Sequence, residues 1–187
     1  MRLKTRKVSF MSTLQLMAFG EFRAHALALA LSIITVAARA DRTPEVPAGL
    51  QVPDGNKVEF HAYAVGVQIY QWDGAKWVFV APEAVLFADA GANGEIAIHY
   101  AGPTWESNSG SKVVGARLAG ATVDPSAIPW LLLQAKTTEG PGIFARTTYI
   151  QRVNTTGGIA PATAGTSVGQ QARVPYTAEY YFYRAED

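Results

Sequence analysis

The side chains able to do chemistry gather around one stretch, His99-Tyr100-Ala101-Gly102-Pro103-Thr104-Trp105-Glu106, continued by Ser107-Asn108-Ser109-Gly110-Ser111-Lys112. It holds an imidazole, an indole, a carboxylate and an ammonium. Three reactive arrangements can be written from it. A hydrolase triad would combine His99 with Glu106 or Asp89 and with Ser107, Ser109 or Ser111. No G-x-S-x-G elbow follows a strand, however, and serines in a Gly/Asn-rich run serve as turn formers. A glycosidase pair would use Glu83 and Glu106, a reading that depends on their separation in space. A zinc site needs three or four ligands. His61 and His99 are the only histidines after position 40, with no H-x-H or H-x-x-x-H pair. No metal and no cofactor is expected.

The same residues suit binding better than catalysis. Trp105, beside Gly102-Pro103 at a strand-to-turn boundary, reads as a flat platform for a sugar ring or an apolar ligand. Gln151 and Arg152 lie at the exposed end of a later strand. The candidate ligand-binding residues are therefore His99, Trp105, Glu106, Lys112, Gln151 and Arg152. Trp77 and Trp130 are assigned to the core, Trp130 because Leu131 to Leu133 follow it.

The elements that must position these groups are strands. Ile96 and Ile98 alternate with Ala97 and His99, which puts His99 on the face opposite the isoleucines. Asp73-Gly74 signals a two-residue hairpin. Centring the turn there pairs Tyr70 with Trp77 and Ile69 with Val78, and leaves both faces of the ribbon apolar. Further strands are expected over Glu83–Asp89, Val113–Leu118, Ile128–Leu133, Ile143–Val153 and Tyr176–Arg184. Asn154–Gly169 reads as a long loop. The sum is an all-β, single-domain antiparallel sandwich or barrel of about nine or ten short strands over residues 58–187. Residues 41–57, with Pro44, Pro47, Pro53 and Gly55, read as an extended arm.

Residues 1–40 have the layout of a secretory signal peptide. Arg2, Lys4, Arg6, Lys7 and Arg23 precede the apolar run Ala26–Ala38, and Ala38-Arg39-Ala40 is a small-x-small cleavage site. The run is shorter than the ~20 residues needed to span a bilayer, so no integral membrane segment remains after cleavage. Six of the sixteen Lys/Arg and one of the fifteen Asp/Glu fall in this leader, which leaves 10 − 14 = −4 for residues 41–187. A mildly acidic chain without a basic run does not suit nucleic acid or anionic membranes. The absence of cysteine excludes disulfides and thiolate chemistry.

Several motifs in one order resemble a known family. They are Pro82-Glu83-Ala84 with Leu86, His99 to Trp105, Gly110 to Gly115, Ala127 to Leu133, Ile150-Gln151-Arg152 with Thr156-Gly157-Gly158, and Val174-Pro175-Tyr176 with Tyr180. Together they resemble domain-of-unknown-function family 3455 over about residues 46–184. The resemblance implies an exported protein of a bacterial or fungal kind, with no established activity to transfer. A malate dehydrogenase label on some fungal relatives does not carry over, since no G-x-G-x-x-G follows a strand here. The family pattern carries a cysteine near Gln71 and another near Ala164-Gly165. If relatives bond the two, the resemblance implies that these segments meet here as well; both cysteines are absent, and the Thr/Ala/Gly-rich loop, lacking the bond, has little to hold it.

These readings converge on a secreted or periplasmic, non-catalytic module that binds a small molecule or glycan. The alternatives are a hydrolase using His99 with a nearby carboxylate, or a structural or stress-related envelope protein.

Overall fold

The computed structural model describes residues 43–187; the expected leader lies outside them. Eight strands form one antiparallel sheet: β1 Asn56–Trp72, β2 Trp77–Phe87, β3 Glu95–Tyr100, β4 Thr104–Ser107, β5 Lys112–Ala121, β6 Trp130–Glu139, β7 Thr147–Gly157 and β8 Gln171–Ala185. Each pairs with the next, and β8 returns to β1, so the sheet closes into a barrel without an edge. The strands are eight rather than nine or ten because the hairpin expected to begin near Val65 is part of a 17-residue β1, and Glu83–Phe87 continues β2. Among the described residues no helix is long and apolar enough to cross a membrane.

The β1–β2 register differs from expectation. Trp72 pairs with Trp77, Gln71 with Val78 and Tyr70 with Phe79. Asp73 is the cause. Its Oδ1 accepts the N–H groups of Ala75 and Lys76, both at 2.8 Å, and its own N–H donates to the Lys76 carbonyl at 3.1 Å. This Asx-type loop spends four residues on the turn rather than two. Pro82 is tolerated mid-strand because the β2–β3 ladder ends at Ala84–His99, leaving its missing N–H on an unpaired stretch.

The barrel interior holds Ala62, Ala64, Ala84, Leu86, Ala97, Trp105, Val113, Leu133, Ile150, Tyr176, Ala178, Tyr180 and Phe182. Small residues on β1 to β3 face large ones on β4 and β8, which fills the narrow bore. Gly115 makes room for the Trp105 indole: a Cβ there would lie 3.1 Å from Trp105 Cζ3. One end is plugged by Phe60, Phe144 and Phe182, with the Phe182 ring centroid 4.4 Å from Phe60 and 4.9 Å from Phe144. Phe144 turns into this plug, which is why β7 starts at Thr147 rather than at Ile143.

The arm is not free. Its 3-10 turn, Ala48–Leu50, buries Leu50 against the outer wall, where Leu132, Val153 and Tyr183 are also buried. Two tryptophans are less central than their sequence context implies. Trp130 at the start of β6 and Trp77 at the hairpin are both half-buried. The residue 158–170 loop is tied down rather than loose. Trp77 Nε1 donates to the Thr163 carbonyl at 2.8 Å, and the Gly169 N–H donates to the Trp72 carbonyl at 2.8 Å. A Cβ on Gly165 would come 2.5 Å from Trp72 Cγ, so the two segments meet as the family pattern implies.

Candidate functional site

At the end opposite the phenylalanine plug the wall is uneven. β3 and β4 are six and four residues long, whereas β1 and β8 run to 17 and 15. Beyond Ala84–His99, β2 has no partner on its β3 side, and the Ala101–Pro103 turn sits low. A cavity of about 150 Å³ opens into the bore at this gap. Phe79, Val80, Pro82 and Pro103 lie at its mouth, and His99, Trp105, Tyr180, Leu131 and Leu133 line it with Arg117 and Arg152.

Strand register brings these groups together. His99 pairs with Trp105 across β3–β4. Leu131, Arg152 and Tyr180 form one row across β6, β7 and β8. Arg117 pairs with Leu133 across β5–β6. The imidazole of His99 stacks on the Trp105 indole, centroids 4.3 Å apart and planes 8° from parallel, and the Tyr180 ring meets both edge-on at 5.4 Å.

The cavity's electrostatics follow from burial. His99 is 3% exposed, and its Nδ1 lies 2.8 Å from the Thr104 carbonyl. A carbonyl only accepts, so Nδ1 carries the proton and Nε2 the lone pair. Burial pushes the imidazole down to about 3; the Thr104 bond opposes this, and the Arg152 charge adds to it. His99 is therefore neutral at pH 7. Burial raises the Tyr180 and Tyr176 hydroxyls above the ordinary tyrosine range. Tyr180 Oη sits near Arg152 and Tyr176, but neither contact reaches hydrogen-bond geometry. The Trp105 Nε1–H is buried without an acceptor. Arg152 donates from Nε and Nη2 to the Pro129 carbonyl at 3.2 and 2.8 Å.

Of the six residues nominated from sequence, the cavity gathers His99, Trp105 and Arg152. Trp105 is 1% exposed, so it is an interior wall and not a surface platform. Glu106 and Lys112 point outward, where Glu106 Oε2 accepts the Tyr100 hydroxyl at 2.7 Å and lies 3.5 Å from Lys112 Nζ. Gln151 is on the outer side of β7, under the arm. Its Nε2 donates to the Leu50 carbonyl at 2.6 Å, and its Oε1 accepts the Tyr183 hydroxyl at 2.5 Å. Tyr180, Arg117, Leu131 and Leu133 were not nominated; of these, the β8 alternation Tyr176, Ala178, Tyr180, Phe182 was the available signal.

The catalytic arrangements do not assemble. The hydrogen bond of His99 goes to a carbonyl rather than a carboxylate. The three serines bond one another, Ser107 Oγ lying 2.9 Å from Ser109 Oγ and 2.8 Å from Ser111 Oγ, and they fasten the β4–β5 turn at the plugged end. Glu83 is paired with Arg173 at 2.7 Å on the outer face. Among the described residues no cluster of three or more His, Asp or Glu could hold a metal. A shallow outer groove of about 610 Å³ runs past His61, Tyr63, Glu179 and Tyr181. Its carboxylates are already engaged, since Glu179 Oε2 lies 2.8 Å from His61 Nε2 and Asp89 Oδ1 accepts the Gly91 N–H at 2.8 Å.

Residues 53–184 match the family described as protein of unknown function, DUF3455. The chain belongs to the DUF3455 family. No curated protein and no solved structure matches it. The matched range of this DUF3455 chain takes in β1 to β7 whole and β8 up to its penultimate residue, so the family pattern describes the barrel.

Proposed function

We propose that this DUF3455 protein is a secreted or periplasmic, non-catalytic binding module that takes one small, ring-sized ligand into its barrel. The observation that carries this reading is the cavity of about 150 Å³ at the open end. An eight-stranded barrel is just wide enough either to be filled by side chains or to hold one small ligand. An apolar protein cavity of about 150 Å³ accommodates benzene. Here aromatic and aliphatic walls supply apolar contact, and a few polar groups converge to orient the occupant. His99, Arg117 and Arg152 are the polar side chains of its lining. A structural envelope protein has no need of an unfilled bore, and the neutral His99 bonded to a carbonyl gives a hydrolase no acid–base pair.

The test is a thermal-shift screen of monocyclic aromatic and sugar-ring compounds. A ligand that binds only the folded barrel at a hundred times its Kd stabilises it by about 2.7 kcal/mol, a rise of several degrees in Tm. A library in which no ring-sized compound raises Tm overturns the reading. Export is tested separately: the protein recovered outside the cytoplasm should begin at Asp41 by mass spectrometry, and an intact leader would contradict it.

A further inference from the structure

We infer that the cavity selects a ring carrying an anionic group, a small aromatic carboxylate, with Arg117 and Arg152 receiving the carboxylate; this rests on the binding reading above. Residues 41–187 carry an excess of acidic side chains, 14 against 10. The cavity reverses that balance. Arg117 and Arg152 line it, and no Asp or Glu does. Among the described residues neither arginine takes part in an ion pair, although eight such pairs form elsewhere. A guanidinium without a carboxylate partner, set against low-dielectric aromatic walls, attracts an anion more strongly than it would in water.

The donor inventory points the same way. Arg152 has five N–H donors. Two go to the Pro129 carbonyl, leaving 5 − 2 = 3 without a hydrogen-bonded acceptor. Arg117 adds the donors of a second guanidinium at the rim. The lining therefore has an excess of donors, with His99 Nε2 as its free side-chain acceptor. An acceptor-rich head group balances that excess, and a carboxylate suits the planar guanidinium fork. The Arg152 charge reaches across the bore: burial raises the Tyr70 and Tyr180 hydroxyls and lowers His99, and the guanidinium opposes the first and adds to the second.

Geometry assigns the two ends of the ligand. Arg117 is exposed at the rim, folded back over the backbone of β5. A Cβ on Gly120 would fall 2.4 Å from its Nη2, so the glycine leaves space for the guanidinium. The inner walls are His99, Trp105, Leu133 and Tyr180. The ring enters against the stacked His99–Trp105 pair, and the carboxylate remains toward the arginines.

The experiment is calorimetric titration of the purified protein with benzoate, benzyl alcohol and benzylamine, three rings of matched size that differ in head-group charge. Benzoate is expected to bind at least tenfold more tightly than benzyl alcohol, with benzylamine weakest. Arg117→Gln, an exposed substitution that leaves the core intact, should reduce benzoate affinity about tenfold and benzyl alcohol affinity clearly less, since a hydroxyl accepts from the guanidinium but carries no charge. Arg117→Lys should recover part of the loss. Equal binding of benzoate and benzyl alcohol, or tighter benzylamine, overturns the anion assignment while the ring-binding reading stands. Failure of all three to bind overturns the aromatic-carboxylate assignment, and the ring-binding reading falls with it if no compound of the ring library raises Tm. Benzoate binding that is indifferent to Arg117→Gln overturns the role given to that arginine.

Discussion

Replacing His99 with Gln should flatten the acid limb of the stability curve. In the folded barrel burial holds the imidazole down at about 3, whereas its ordinary value is 6.5. Between those values the unfolded chain binds the proton and the folded chain does not. Stability is therefore fully present above pH 6.5 and falls as pH drops toward 3. One pKa unit corresponds to ~1.36 kcal/mol, so the linkage reaches about 2 kcal/mol of lost stability at pH 5 relative to pH 8. Glutamine keeps a side-chain N–H for the Thr104 carbonyl and does not titrate. Carboxylates held low by hydrogen bonds, such as Asp73, Asp89 and Asp124, act in the same direction but closer to their own ordinary range. They are common to both proteins and cancel in the difference. The assay is urea unfolding of the wild type and His99→Gln at pH 8, 6.5 and 5. The wild type should lose about 2 kcal/mol more than the variant across that range. Parallel curves would mean that His99 is solvated in the folded state, and the stacked, buried placement would be wrong.

Trp105→Ala should cost about 3–5 kcal/mol in denaturant melts, as a fully buried large-to-small change. Trp130→Ala should cost clearly less because its side chain is only half-buried; a reversed order would contradict the assignment of inner and outer walls. A Trp72→Cys, Gly165→Cys pair should form a disulfide and stabilise the barrel by about 2–4 kcal/mol, less any strain. An ideal Cβ on Gly165 lies 2.7 Å from Trp72 Cβ, so the backbone must part slightly to reach bridge geometry. Free thiols under oxidising conditions, seen by thiol titration, would refute the proximity of the two segments.

The all-β class and the placing of His99 opposite Ile96 and Ile98 were legible because both rest on period-two alternation; which of those faces is the interior was not, since Ile98 is exposed and His99 and Ala97 are buried. The same rule limits how the candidates combine. Trp105 and Glu106 are neighbours on one strand, as are Gln151 and Arg152, so neither pair can share a face. One of each pair had to be outside the cavity. The depth of Trp105 depends on Gly115 across the β4–β5 pairing, and the places of Tyr180 and Arg117 depend on register between strands remote in sequence. Local pattern carries no register of that kind. The hairpin shift shows the same limit at short range: Asp-Gly suggested a two-residue turn, and the Asp73 carboxylate, bonded to two N–H groups, made it four. Trp130 misled because a run of leucines gives each residue the same hydropathy whichever wall it faces. In β6, Leu132 packs outward beneath the arm while Leu131 and Leu133 turn to the bore.

The most direct test of the binding site is a heteronuclear NMR titration of the indole N–H signals with benzoate. Four tryptophans are present, and only Trp105 lines the cavity. Its ring forms a wall of the cavity, so ring currents from a bound benzoate should move its resonance. The account predicts a saturable shift of the Trp105 signal, with Trp72, Trp77 and Trp130 nearly still. A saturable shift confined to those other three, or none at all at saturating benzoate, would contradict the cavity as the binding site.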